Sequence, residues 1–137
     1  MRTVFAHAKA LAAALLLIVA ISAVWIVHLR AGPKLDGWVA GAMLLFVPLA
    51  LTVLFLGWLA VRGILGFWLS FSPPTVLAVS GGIALAVTVL NCGPVACFTM
   101  GPERAAGWFV VPGVAITALV HHILLERFLR RSSDGRQ

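Results

Sequence analysis

The chain has 137 residues, of which 62% are hydrophobic and 10% charged, and its formal net charge is +6 at pH 7. A soluble domain averages about 25% charged residues, and a small domain leaves much of its surface in water. A water-soluble globular fold is therefore excluded, and the composition indicates an integral membrane protein.

Four stretches without Asp, Glu, Lys or Arg divide the chain. They cover 20 residues after Lys9, 25 after Asp36, 40 after Arg62 and 21 after Arg104. A transmembrane helix needs about 20 apolar residues, so three of the stretches fit one crossing each. The 40-residue stretch contains Pro73-Pro74. A helix rarely continues through two prolines, but one can begin there.

These stretches predict an all-α integral membrane protein with four transmembrane helices packed as an up-down bundle. The spans are 10–29, 37–61, 75–91 and 105–125, within a transmembrane domain over 1–126. Ser72 is the expected N-cap of the third helix, with Pro73 at its first helical position. The apolar segment 62–74 either lies in the membrane interface or prolongs the second helix. Residues 127–137 are expected to form a basic, disordered cytoplasmic tail.

The first predicted helix carries alanines at spacings of four, at Ala6, Ala10 and Ala14. Its apolar run exceeds the roughly 7–15 residues of a signal peptide, so we expect the helix to be retained. A haem between His7 and His121 would need ligands at matching depth, whereas these differ by roughly 10 Å. We therefore expect neither a cofactor nor a metal site.

Small residues on the next two helices predict close helix packing. Gly37 and Gly41 form G-x-x-x-G at the start of the second helix, and Ala78, Gly82 and Ala86 repeat every four residues on the third. Such faces let helices approach closely. We expect them to pack within the bundle, and a seam for another protein is the alternative.

A proline lies in the middle of the second predicted helix. Pro48 lacks a backbone N–H, so the carbonyl of Leu44 loses its partner and the helix is expected to bend there. We interpret this proline as a determinant of shape.

Two cysteines lie five residues apart at the end of the third helix. Gly93-Pro94 between Cys92 and Cys97 predicts a turn, which can bring the two sulfurs within disulfide distance. A bridge would persist on an oxidising side of the membrane. Two free thiols acting as small apolar side chains fit the sequence equally well.

The fourth helix ends in charged residues. His122 and Glu126 are placed to pair at i, i+4. Arg127, Arg130 and Arg131 are expected to contact anionic lipid head groups, each contributing about 1 kcal/mol near the surface. No nucleic-acid module accompanies the positive charge, so nucleic-acid binding is not expected.

The distribution of Lys and Arg predicts the orientation. If both termini lie in the cytoplasm, seven basic residues lie inside and three outside, as the positive-inside rule requires. We therefore expect a multi-pass protein of a bacterial-type plasma (inner) membrane. The inner set is Arg2, Lys9, Arg62, Arg127, Arg130, Arg131 and Arg136, and the outer set is Arg30, Lys34 and Arg104.

Function is predicted by elimination. All four acidic residues lie outside the spans, and no catalytic motif is present, so we expect no enzyme activity. The prediction is an accessory or assembly subunit that acts through helix–helix association, with the bilayer and other membrane subunits or a homo-oligomer as partners. One alternative is a small transporter or pore that uses Thr52 and Thr88 around Pro48.

A membrane thiol-redox protein is the other alternative, with Cys92 and Cys97 as its reactive pair. In size and helix count the chain resembles the quinone-linked membrane thiol oxidoreductases. That resemblance implies a close C-x-x-C pair and further cysteines that pass electrons along. This sequence has C-x4-C and no other cysteine.

Overall fold

A computed structural model describes residues 1–31, 37–66, 68, 70–92 and 106–135 of the chain. Four helices make up these residues, and no strand occurs among them. Their bounds are Arg2–Ala31 for α1, Gly37–Leu65 for α2, Pro73–Cys92 for α3 and Ala106–Asp134 for α4. All four are long and apolar enough to cross a membrane. The prediction of an all-helical chain with four such helices is confirmed.

Three helix ends lie at least four residues beyond their predicted positions. α1 begins at Arg2 instead of residue 10, α2 continues to Leu65 instead of 61, and α4 continues to Asp134 instead of 125. The prediction of a disordered tail is wrong for residues 127–134, which are helical. Arg, Leu and Glu are strong helix formers. This part of α4 is also packed, because Phe128 lies against the cluster that Ala6 forms with its neighbours.

The start of α3 agrees with its prediction. α3 begins at Pro73, directly after Ser72. The backbone N–H of Val76 donates to the carbonyl of Ser72 at 3.0 Å, and the Ser72 and Thr75 hydroxyls lie 2.8 Å apart. The prolines therefore occupy the first turn, where the missing N–H groups cost no helical hydrogen bond.

α4 is the central helix of the bundle. It packs against α1, α2 and α3, whereas α1 and α3 do not contact each other within the described ranges. Its Val110, Val114 and Ala118 are buried, as are Leu51 and Phe55 of α2. The main core thus lies along one side of α4 and brings the other helices together.

Side-chain contacts show the relative directions of α1 and α4. Trp25, near the end of α1, packs on Phe109 near the start of α4, with ring centroids 5.0 Å apart. At the opposite end, Ala6 and Ala10 pack with Leu125. α1 and α4 are therefore antiparallel, and the first turns of α1 lie beside the last turns of α4.

Candidate functional site

Polar side chains meet where the end of α2 lies against α4. The half-buried Arg62 places Nη1 at 3.4 Å from Nδ1 of His121, a residue only 4% exposed. A guanidinium can only donate, so Nδ1 accepts and the ring proton of His121 lies on Nε2. The hydrogen bond joins residues 59 positions apart in the sequence. It therefore fixes the end of α2 against α4.

Aromatic side chains of α2 flank this hydrogen bond. Phe55 packs edge to face on the ring of His121, with centroids 5.7 Å apart and planes at 76°. Trp58 packs edge to face on Phe71, with centroids 5.6 Å apart. Phe55 and Trp58 are fully buried. The hydrogen bond thus lies beside an apolar wall, where the low dielectric strengthens it.

His122 and Glu126 extend the polar cluster along α4. Nε2 of His122 lies 3.5 Å from Oε1 of Glu126, which confirms the predicted i, i+4 pairing. The other carboxylate oxygen lies 4.0 Å from Nη2 of Arg130. His122 is only 2% exposed, and its Nε2 and the Glu126 oxygen lie at the limit of hydrogen-bond distance. The contact between His122 and Glu126 is therefore weak for a buried side chain.

Two buried side chains near the Arg62–His121 hydrogen bond have polar atoms without a hydrogen-bond partner. These are both ring nitrogens of His122 and the indole Nε1 of Trp58, as judged over the described residues. A buried polar group without a partner costs about 1–3 kcal/mol. We refer to Trp58, Arg62, His121, His122 and Glu126 as the polar cluster. It can donate hydrogen bonds from two helices at one end of the bundle.

The two imidazoles and the carboxylate of the polar cluster do not converge on a common point. Among the residues that the structure describes, no three His, Cys, Asp or Glu side chains come close enough to hold an ion. Arg62 also places a positive charge beside His121. Such a charge opposes the approach of a cation.

The predicted packing glycines of α2 are exposed within the chain. Gly37 and Gly41 both lie on the surface of the bundle. A Cβ placed on either glycine would meet nothing within 4 Å. Neither glycine therefore allows a close approach by another described helix of this chain.

The predicted packing residues of α3 are exposed as well. Ala78, Gly82 and Ala86 lie on the surface, and a Cβ on Gly82 would meet nothing within 4 Å. They lie two residues away from the buried positions, which is about 200° around a helix. We call these three residues the outward α3 face, because they point away from α4. The buried positions are Val76, Ser80, Ala84 and Thr88.

Two other glycines make the close approaches inside the bundle, and the sequence analysis missed both. A Cβ on Gly113 of α4 would lie 2.7 Å from Cδ2 of Leu51 and 3.6 Å from two carbons of Ile21. A Cβ on Gly81 would lie 3.6 Å from the Cβ of Ala115. Gly113 and Thr117 are four residues apart, like the small residues named on α2 and α3, and this spacing is the sequence signal for the close approach at Gly113.

The polar residues of the pore alternative bond to carbonyls of their own helix or lie in a mainly apolar groove. The Thr52 hydroxyl donates to the carbonyl of Pro48 at 2.8 Å. α2 is one continuous helix through Pro48, and the bend stays a prediction. Thr88 and Asn91 line a groove of about 280 Å³ between α2, α3 and α4. The Asn91 amide donates to the carbonyl of Val87 within its own helix.

The remaining predicted site residues lie at the ends of helices. Arg127, Arg130 and Arg131 are exposed on the last turns of α4. Cys97 and the side chain of Cys92 lie outside the described residues, so the disulfide stays a prediction.

No protein family, curated protein or solved structure matches the chain. Several features of the chain bear on function. Two stand out among the described residues: the buried polar cluster between α2 and α4, and the outward α3 face of small side chains.

Proposed function

We propose that the chain crosses an inner membrane four times as an up-down bundle and serves as an accessory or assembly subunit of a larger membrane complex. Four helices of sufficient length and apolarity support the crossing. The exposed Leu, Val and Phe side chains of these helices would be covered by lipid. The antiparallel contact of α1 with α4 fits alternating crossings.

In this proposal both termini lie in the cytoplasm. Seven Lys and Arg residues then lie inside and three outside, which is the distribution that the positive-inside rule favours. The basic end of α4, with Arg127, Arg130 and Arg131, would contact anionic head groups of the inner leaflet.

The outward α3 face is the observation that carries the association role. Lipid tails cover a large apolar side chain as readily as a small one, so the bilayer gives no reason for small residues there. Ala78, Gly82 and Ala86 instead leave a shallow surface that another transmembrane helix can approach closely. We assign this surface to a transmembrane helix of a partner subunit.

The packing of α3 supports the same role. In the apolar window of α3 22% of the residues are buried, against 44% for α4. Most of the contacts of α3 are with α4, few are with α2, and none are with α1 over the described residues. A helix held on one side leaves its opposite side for a partner. Gly37 and Gly41 of α2 offer a second exposed small-residue surface.

A substitution on the outward α3 face tests the proposal. Gly82→Leu adds a large side chain where the partner helix would pack, so crosslinking in membranes followed by mass spectrometry should lose the partner. Ala20→Leu is the matched control, because Ala20 is exposed on α1 and the residues four positions before and after it, Leu16 and Val24, are large. The control should keep the partner at the level of the unmodified chain.

Three outcomes would contradict the subunit role. The first is equal crosslinking of Gly82→Leu and the unmodified chain. The second is a lone homo-oligomer that carries solute into liposomes, which would favour the transporter or pore alternative and its groove at Thr88 and Asn91. The third is reversible thiol oxidation of Cys92 and Cys97 coupled to an electron acceptor.

A further inference from the structure

A groove lies where the first turns of α1 meet the last turns of α4. It has a volume of about 470 Å³ and is separate from the polar cluster. Three of its six lining residues are cationic, and the others are apolar. The lining residues are Arg2, Phe5, Ala6, Lys9, Phe128 and Arg131. We call this site the basic groove.

The walls of the basic groove are held in place by packing. Ala6 and Ala10 are buried against Leu125, so the two helices are in close contact beneath the groove. The Lys9 ammonium lies 5.8 Å from the centre of the Phe128 ring, within cation–π range. This contact joins α1 to α4 across the groove. The groove is therefore partly organised before any ligand arrives.

The position of the groove along the helices places it at head-group depth. Lys9 is the last charged residue before 20 uncharged ones. α1 has 30 residues. At about 1.5 Å per residue it is about 45 Å long, longer than the roughly 30 Å of hydrocarbon. In a membrane the residues up to Lys9 therefore lie in the head-group layer.

The charges at this end of the bundle favour an anionic ligand. Arg2, Lys9 and Arg131 bring three positive charges to one groove, and its lining contains no acidic residue among those that the structure describes. Glu126 faces His122 and Arg130 instead. A phosphate monoester or diester is the ligand that such a set of donors binds best. Basic pockets between transmembrane helices at this depth are the usual head-group sites.

The apolar half of the lining favours a lipid over a soluble phosphate. Phe5 is 62% exposed and lies along the groove beside the half-buried Phe128. A free phosphate would leave the exposed Phe5 ring uncovered, whereas an acyl chain would cover it. We propose that the basic groove binds an anionic phospholipid, with its phosphate among Arg2, Lys9 and Arg131 and its chain against Phe5 and Phe128.

Such a site differs from a diffuse attraction of basic residues to the membrane. Such a groove retains one lipid through detergent extraction, and the retention depends on which cation is removed. It is also independent of the outward α3 face, because that face belongs to another helix. Failure of either proposal therefore leaves the other intact.

Lipid titration of the purified full chain tests the proposal. In a mild detergent, native mass spectrometry would measure retention of phosphatidylglycerol and of phosphatidylcholine. Retention should be selective for phosphatidylglycerol. Each of Arg131→Gln and Lys9→Gln should weaken it by about fivefold, the loss expected for one charge near a head group. Arg30→Gln removes the same charge from an exposed position at the other end of α1, outside the groove, and should leave retention unchanged.

Competition with inorganic phosphate separates the two sources of a phosphate group. Millimolar phosphate should leave phosphatidylglycerol bound, and Phe5→Ala should weaken its retention. Equal retention of both lipids would overturn the proposal, as would an equal loss for Arg30→Gln and Arg131→Gln. Displacement of the lipid by millimolar phosphate would instead assign the groove to a soluble phosphate and overturn the lipid assignment.

Discussion

Gly113 is a position inside the bundle where one added carbon would meet packed side chains. A Cβ there would lie 2.7 Å from Cδ2 of Leu51, closer than any ordinary contact between carbons, and 3.6 Å from two carbons of Ile21. Cδ2 is the end of the Leu51 side chain, and Leu51 is fully buried, so the residues packed around it must absorb any shift. Gly113→Ala must therefore displace packed atoms of α1 or α2.

The size of the effect follows from two opposing contributions. Overpacking a filled core costs about 1–3 kcal/mol. Replacing glycine by alanine inside a helix stabilises it by about 1 kcal/mol. The net expectation for Gly113→Ala is a loss of about 0–2 kcal/mol in the free energy of unfolding. Gly82→Ala is the matched control, because its Cβ would meet nothing within 4 Å and only the helix contribution remains.

The difference between these two variants isolates the overpacking cost. Unfolding in mixed detergent and dodecyl sulfate micelles, followed by circular dichroism, should place Gly113→Ala about 1–3 kcal/mol below Gly82→Ala. In a Leu51→Ala background the cost of Gly113→Ala should fall, because the atom that it meets is gone. Equal stability of the two alanine variants, or an unchanged cost in that background, would refute the reasoning.

Two further substitutions test other contacts in the same unfolding assay. Arg62→Met removes the donor to the buried His121 and should cost about 1–3 kcal/mol, whereas the exposed Arg127→Met should change little; equal effects would show that the hydrogen bond contributes nothing. Ala10→Leu overfills the fully buried contact of α1 with α4 and should cost about 1–3 kcal/mol, while the exposed Ala12→Leu should be near neutral; an equally stable pair would contradict the antiparallel packing.

The number of helices and the start of α3 were predictable because single residues decide them. Charged residues are costly inside a bilayer, so the gaps between them define the crossings. Pro73 and Pro74 fit a first helical turn, whereas two consecutive prolines in a helix interior would remove two hydrogen bonds, so the pair fixes the start of α3. These features depend on local chemistry, which the sequence states directly.

The helix ends and the packing faces depended on contacts between distant residues. The basic composition at Arg127 favoured a disordered tail, yet Leu125 and Phe128 pack against the alanines at the start of α1 and extend the helix. Ala10 and Gly82 both belong to repeats of four, and only the first is buried. A helix that is apolar on every side does not reveal which face its neighbour covers.

The polar cluster could not be predicted from the sequence for the same reason. Arg62 reads as a boundary residue that extends toward water, and His121 reads as an interfacial histidine. Their hydrogen bond joins residues 59 positions apart and depends on how α2 lies against α4. The pairing of His122 with Glu126 was predictable, because four residues on one helix bring two side chains together without any tertiary contact.

Labelling of single cysteines with an impermeant maleimide tests the crossing of the membrane most directly. The background would carry Cys92→Ser and Cys97→Ser, and the probes would be Ala31→Cys at the end of α1 and Ser133→Cys near the end of α4, both exposed positions. Four crossings with cytoplasmic termini predict that intact cells label Ala31→Cys alone, and that Ser133→Cys reacts only after permeabilisation. Labelling of both positions from the same side, or recovery of the chain in the soluble fraction, would contradict the account.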